Sequence, residues 1–306
     1  LHIAVNPDPT ITDANGKGFL NAAGRPQSLT GNHAVQWVRD PALERELLIK
    51  YFERNHTFRV GGENHLVFRG GAISYPEDDF KVQNLATYVD KARSDFAPVL
   101  KDPKNPNLLD YVNFYKQPAV LRAVTAHSNA WNTVFDNDQN LNALETAVGN
   151  RLFRWKYSPV TNQTTPSLKD QSSHADLYLH RSMYEAGVLS KSSANLIIHN
   201  GCETVTPQSG GKVRYNAPNY GKFQNGEGQL FYLNGLALLG RAKVFYDSPR
   251  GLEEAFDGRP RAHFGDLWRR YFTKESQDAG LPTNVAGNKR TYNWSVLGDW
   301  SVRLRY

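Results

Sequence analysis

One cysteine in 306 residues, Cys202, leaves no partner for an internal disulfide and no zinc site built on several thiolates. No apolar run approaches the 18 residues that a membrane-crossing helix needs. The first thirteen residues lack the basic segment and the long apolar stretch of a signal peptide, although a leader removed before Leu1 would leave the same sequence. Internal repeats and low-complexity tracts are also missing. A net charge of +6 invites a nucleic-acid reading, but the basic residues are dispersed. They cluster only at 259–261, 269–270 and 303–305, well short of the dense stripe that a phosphate backbone requires. Nucleic acid is therefore not an expected partner.

What is present suits a large α/β unit. Hydrophobic residues make up 40% of the chain and aromatic residues 12%, enough for a sizeable core. Residues 1–118 read as an N-terminal segment or subdomain, partly irregular, and residues 119–306 as the part that carries chemistry. Helical spacing of apolar residues predicts helices over 40–54 and 84–100, and a strand over 65–68 ends at a turn on Gly70 and Gly71. From residue 119 the rhythm is strand, helix, strand, helix. Strands are predicted over 119–126, 195–198 and 243–246. Helices are predicted over 141–155, 176–189, 228–239 and 264–274, with Asp136, Asp138 or Asn140 as the N-cap of the first. A polar loop covers 158–173, and the tail over 292–304 is strand-like with a turn at Gly298-Asp299. This order predicts a mainly parallel sheet covered by helices on both faces.

Cys202 follows directly on a predicted buried strand, and in open α/β sheets functional groups collect where strands end. Gly201 permits a sharp turn that would present the thiol. A lone cysteine is otherwise a small buried hydrophobe, and only a base or a positive neighbour makes it a nucleophile at neutral pH. His127 has the matching placement at the end of the strand over 119–126. Adjacent parallel strands ending in His127 and Cys202 would bring imidazole and thiol to one edge. The bland alternative for His127 is a satisfied loop histidine. His174, ahead of the helix over 176–189, is the competing base, although helix capping explains it as well. Strand alternation points His199 elsewhere, and His180 reads as a packing residue.

Three further patterns are weaker. Residues 136–140 resemble the start of a calcium loop, but position twelve holds Ala147 in place of the bidentate glutamate, so no metal is expected. Asn225-Gly226-Glu227-Gly228 reads as a turn, too sparse for a phosphate loop. Arg69 and Glu227 could mimic the arginine and glutamate of an ADP-ribosyltransferase, a pairing that also arises by chance.

Three segments resemble the gingipain-type cysteine peptidases of the caspase–hemoglobinase clan. The first is the strand Leu196-Ile197-Ile198 leading through His199-Asn200-Gly201 to Cys202. The second is Gly240-Arg241-Ala242-Lys243-Val244-Phe245-Tyr246, similar to the strand after the nucleophile. The third runs from Tyr292 through Leu297-Gly298-Asp299 to Leu304, similar to the closing segment. The likeness covers residues 119–306. It implies a caspase/gingipain-like three-layer αβα fold and a cysteine endopeptidase acting on protein or peptide through an acyl-enzyme. The resemblance assigns Cys202 as nucleophile, His127 as base, and the backbone N–H groups of Cys202 and Ser128 as oxyanion donors. No cofactor is implied. A secreted or cell-surface location and a longer precursor follow from the resemblance alone. The histidine motif is His127-Ser128 where the clan has His-Gly, and 75 residues separate His127 from Cys202, which implies an insertion near 158–173. An inactive relative serving as a binding or secretion-associated domain is the main rival.

Overall fold

The computed structural model describes residues 4–7, 12, 15–18, 37–61, 70–74, 106–117, 119–130, 132–136, 140–149, 156–158, 163–165, 174–189, 193–205, 225–242, 263–278 and 294–302. Its centre is a five-stranded sheet of β3 (Gly70–Ser74), β4 (Leu121–Thr125), β9 (Asn195–Asn200), β10 (Gly235–Arg241) and β11 (Trp294–Gly298). The spatial order is β11-β10-β9-β4-β3. The four strands β3, β4, β9 and β10 are parallel, and β11 closes one edge antiparallel to β10. Strands β1 (Val5–Pro7) and β2 (Trp37–Arg39) form a separate antiparallel pair. The expected mainly parallel α/β sheet is present, and the strands predicted over 119–126 and 195–198 are parallel neighbours in it.

Alternation along the strands feeds two cores. Leu121, Ala123, Leu196, Ile198, Ala237 and Leu239 face the layer that contains α6 (Phe264–Asp278). Val124 faces the opposite layer, with α2 (Leu108–Lys116), α3 (Leu141–Ala147) and α4 (Leu177–Glu185). Helix α1 (Pro41–Val60) packs through Leu47 and Tyr51 on α5 (Asn225–Tyr232). The sheet thus buries residues on both faces, and β4, β9 and β10 are buried at every position. No described helix is long and apolar enough to cross a membrane.

A buried arginine ties α2 to the sheet. Arg122 donates to the carbonyls of Phe114 (2.6 Å), Tyr115 (3.3 Å) and Gln117 (2.6 Å) and to Asn195 Oδ1 (2.6 Å). It satisfies the orphan carbonyls at the carboxyl end of α2 and offsets the negative end of the helix dipole there. Elements before residue 119 (α1, β3 and α2) share the core and the sheet with those after it.

Several elements depart from expectation. Helix α1 outruns 40–54 and stops where Gly61 takes φ 92°, a left-handed cap. Gly70 and Gly71 open β3 and do not turn: they lie beside Leu121 and Arg122, and backbone pairing with a fully buried neighbour outweighs glycine's poor strand propensity. Helix α3 is shorter than 141–155, because Gly149 at φ 64° turns the chain just past Val148. Asn140 is its N-cap. The polar stretch 158–173 contains strand β7 (Gln163–Thr165), paired in a hairpin with β6 (Lys156–Ser158). The segment predicted as helix over 228–239 divides into α5 and β10. A short apolar run fits a buried strand as well as a helix, and Asn234 at φ 57° ahead of Gly235 makes the break. Among the described residues the strand that follows Cys202 is β10. The segments 65–68, 84–100 and 243–246 lie outside the described residues.

In the closing Leu297-Gly298-Asp299, Leu297 and Gly298 end β11 and Asp299 leads into a turn. Gly298 has φ 92°, and a Cβ there would stand 2.6 Å from the carbonyl oxygen of Leu236. Asp299 accepts from Ser301 N (3.0 Å) and Ser301 Oγ (2.7 Å), and Arg59 from α1 pairs with it.

Candidate active site

Thr125, the last residue of β4, pairs with Asn200, the last residue of β9. Two residues past each strand end the chain reaches His127 on one side and, in the turn over 201–205, Cys202 on the other. Parallel pairing in this register puts both residues beyond the same edge of the sheet. Ser128, next to His127, donates from Oγ to the carbonyl of Cys202 (2.6 Å) and lies 3.2 Å from Thr204 Oγ1. Val134 N donates to His127 O (2.7 Å) and Asn129 N to Asn132 O (3.0 Å). These bonds flank the bridge between Ser128 and Thr133, so the Ser128 N–H points away from that hairpin.

Gly201 is required by proximity. A Cβ there would meet Ser128 Oγ at 2.2 Å, His199 Cε1 at 2.7 Å and Ala126 O at 2.8 Å. The positive φ of the turn belongs to Glu203 (55°). Cys202, expected to be presented by this turn, is buried, with 6% exposure. Helix α5 begins on it: Gly226 N donates to Thr204 O (2.8 Å) and Asn225 N to Ala130 O (2.6 Å). Asn225-Gly226-Glu227-Gly228, read from sequence as a turn, is the first turn of that helix.

The other histidines separate cleanly. His174 stands in β8 (His174–Asp176), opposite Val134 of β5 (Asn132–Val134), so β5 lies between it and His127. It precedes a helix as expected, but Asp176 is the cap, accepting from Tyr178 N and Leu179 N. His199 is fully buried between Thr133 Oγ1 (3.0 Å from Nε2) and Thr204 Oγ1 (2.8 Å from Nδ1). Burial pushes its pKa down to about 3, as it does for His180, whose Nε2 meets the Tyr111 hydroxyl at 3.1 Å. Both imidazoles are neutral at pH 7. Glu227 is half-buried, and burial raises its carboxyl to about 7. Arg69, its conjectured partner, lies outside the described residues.

Among the described residues no group of three or more histidine, cysteine or acidic side chains gathers as a metal site. A cavity of about 1040 Å³ lies between α1 and α4, lined by Glu46, Lys50, Arg181, Tyr184 and Glu185 and reaching Asn234. Asn234 sits at the amino ends of the strands, where its carbonyl accepts from Asn195 N, so the cavity is at the other edge from Cys202.

Neither the known family models nor the curated proteins contain a match to this chain. The site must stand on its own geometry. Thr133, Thr204, Asn225 and Gln229, which surround the Cys202 turn with hydrogen bonds, carried no local signal in the sequence.

Proposed function

We propose that this chain is a cysteine endopeptidase of the gingipain type within the caspase–hemoglobinase clan. The carrying observation is the register of β4 and β9, which ends both strands at one sheet edge two residues before His127 and Cys202. His127 accepts the thiol proton, and Cys202 Sγ attacks the peptide carbonyl to form the S–C bond. The C–N bond breaks as the amine leaves with the proton returned by His127. Water, activated by the same imidazole, then hydrolyses the thioester and frees Cys202. The N–H groups of Cys202 and Ser128 donate to the oxygen on which negative charge develops. No cofactor enters this scheme, and the same reading makes the protein secreted or cell-surface and part of a longer precursor.

A second reading, an inactive relative that binds partners, is favoured by the 6% exposure of Cys202 and by Ser128 in place of glycine. A thiol-reactive acyl probe separates the two. The peptidase reading expects Cys202 labelling, and it expects Cys202→Ala to abolish peptide hydrolysis with the melting temperature held within a few degrees. Hydrolysis retained in Cys202→Ala, or no labelling of the wild-type chain, defeats it.

A further inference from the structure

We infer that His199 and Thr204 are positioning residues that fix the direction of the Cys202 N–H through a one-way chain of hydrogen bonds running from α5 to the Cys202 turn. The inference rests on the peptidase reading for its catalytic consequence, and on geometry alone for the chain.

The polarity of the chain follows from its ends. Carbonyl oxygens only accept, so Ser128 Oγ–H is committed to Cys202 O (2.6 Å). Thr204 Oγ1 faces Gly201 O (3.2 Å), Ser128 Oγ (3.2 Å) and His199 Nδ1 (2.8 Å) with one proton to give. Giving it to Gly201 O leaves Thr204 Oγ1 to accept from His199, which makes His199 the Nδ1–H tautomer. Nε2 then accepts from Thr133 Oγ1–H (3.0 Å). Thr133 Oγ1 in turn accepts from Asn225 Nδ2 (2.9 Å), and Asn225 Oδ1 from Gln229 Nε2 (3.0 Å). The opposite tautomer would turn His199 Nε2 into a donor, leaving the Thr133 hydroxyl proton no acceptor among its described partners, and would take the Thr204 proton from the turn.

The consequence lies in one peptide plane. The unit joining Gly201 to Cys202 is planar and trans, so its C=O and the Cys202 N–H point in opposite directions. Holding Gly201 O on Thr204 therefore aims the Cys202 N–H the other way, as an oxyanion donor requires. Ser128 fixes the next peptide plane through Cys202 O. Both planes are set before substrate arrives, which is the preorganisation that makes such donors effective. The missing Cβ of Gly201 lets Ser128 and His199 come this close.

Three measurements test the inference on the full chain. Imidazole nitrogen NMR of the wild type should show the His199 proton on Nδ1; a proton on Nε2 overturns the chain as drawn. Thr204→Val keeps the shape of the side chain and removes its hydroxyl. It should lower kcat for a peptide substrate by about 10-fold or more, with KM within about twofold and recovery in Thr204→Ser; loss of one oxyanion donor outright costs about 10²–10³-fold. Unchanged kcat in Thr204→Val, against an active wild type, refutes the positioning role. A wild type that hydrolyses no peptide sinks the peptidase reading instead, and amide exchange at Cys202 then decides the rest. Faster Cys202 exchange in Thr204→Val at matched global stability upholds the chain, and unchanged exchange overturns it.

Discussion

Lowering the pH from 7 to 5 should destabilise the fold by an amount set by two buried histidines and the half-buried Glu227. His180 and His199 keep pKa values of about 3 when folded, against 6.5 for an exposed histidine. The unfolded chain therefore binds two protons in this window that the folded chain refuses. Their stabilisation is complete above pH 6.5 and is lost progressively as pH falls. Each histidine forfeits about 2 kcal/mol between pH 7 and 5, so the pair forfeits about 4. Glu227 acts in the other direction. Its folded pKa of about 7 exceeds the ordinary 4.5, so its stabilisation is full below pH 4.5 and lost as pH rises through 7. Acidification over the same window returns about 2 kcal/mol through it. The histidines win by about 2 kcal/mol. The groups that face them support this ranking. His180 meets the Tyr111 hydroxyl and feels His199, while His199 lies between two threonines within reach of the Arg241 charge, and among the described residues no carboxylate hydrogen-bonds to either ring. Asp299 and Glu46 have lowered pKa values and contribute mainly below this window. Urea unfolding at pH 7, 6 and 5 measures the loss directly, and Glu227→Gln should increase it to about 4 kcal/mol. Stability that is flat or rising toward pH 5 in Glu227→Gln would show that the imidazoles titrate in the folded state and refute the burial argument.

Two further outcomes bear on the site. His127→Ala should cost about 10²–10⁴-fold in kcat, the usual range for a general base, with His174→Ala near neutral; alkylation of Cys202 against pH checks this, and a profile altered only by His174→Ala transfers the role. Gly201→Ala should destabilise by about 1–3 kcal/mol, because its Cβ meets a backbone carbonyl at 2.8 Å as well as the movable Ser128 hydroxyl. An unchanged denaturation midpoint would mean that the turn is not packed as described.

Much of the sheet was legible in the sequence. The runs that became β4 and β9 are apolar, short and bounded by polar turns, which is how buried parallel strands read. That Cys202 and His127 both follow such strands was equally visible, since it depends only on order along the chain. Local pattern could not divide 228–239 into α5 and β10, because Leu and Ala suit a buried helix as well as a buried strand; the break lies in the positive φ of Asn234. Nor could it show that Gly70 and Gly71 join a strand, because their pairing partners lie about fifty residues away. The tertiary structure alone decided that β4 and β9 are neighbours in a register that aligns Thr125 with Asn200. It alone brought Thr133 and Asn225, from two other segments, to His199 and Thr204 at the Cys202 turn. Hydrogen bonds between side chains so far apart in sequence leave no periodicity to read, so the candidate nucleophile was visible in the chain while the groups that hold it were not.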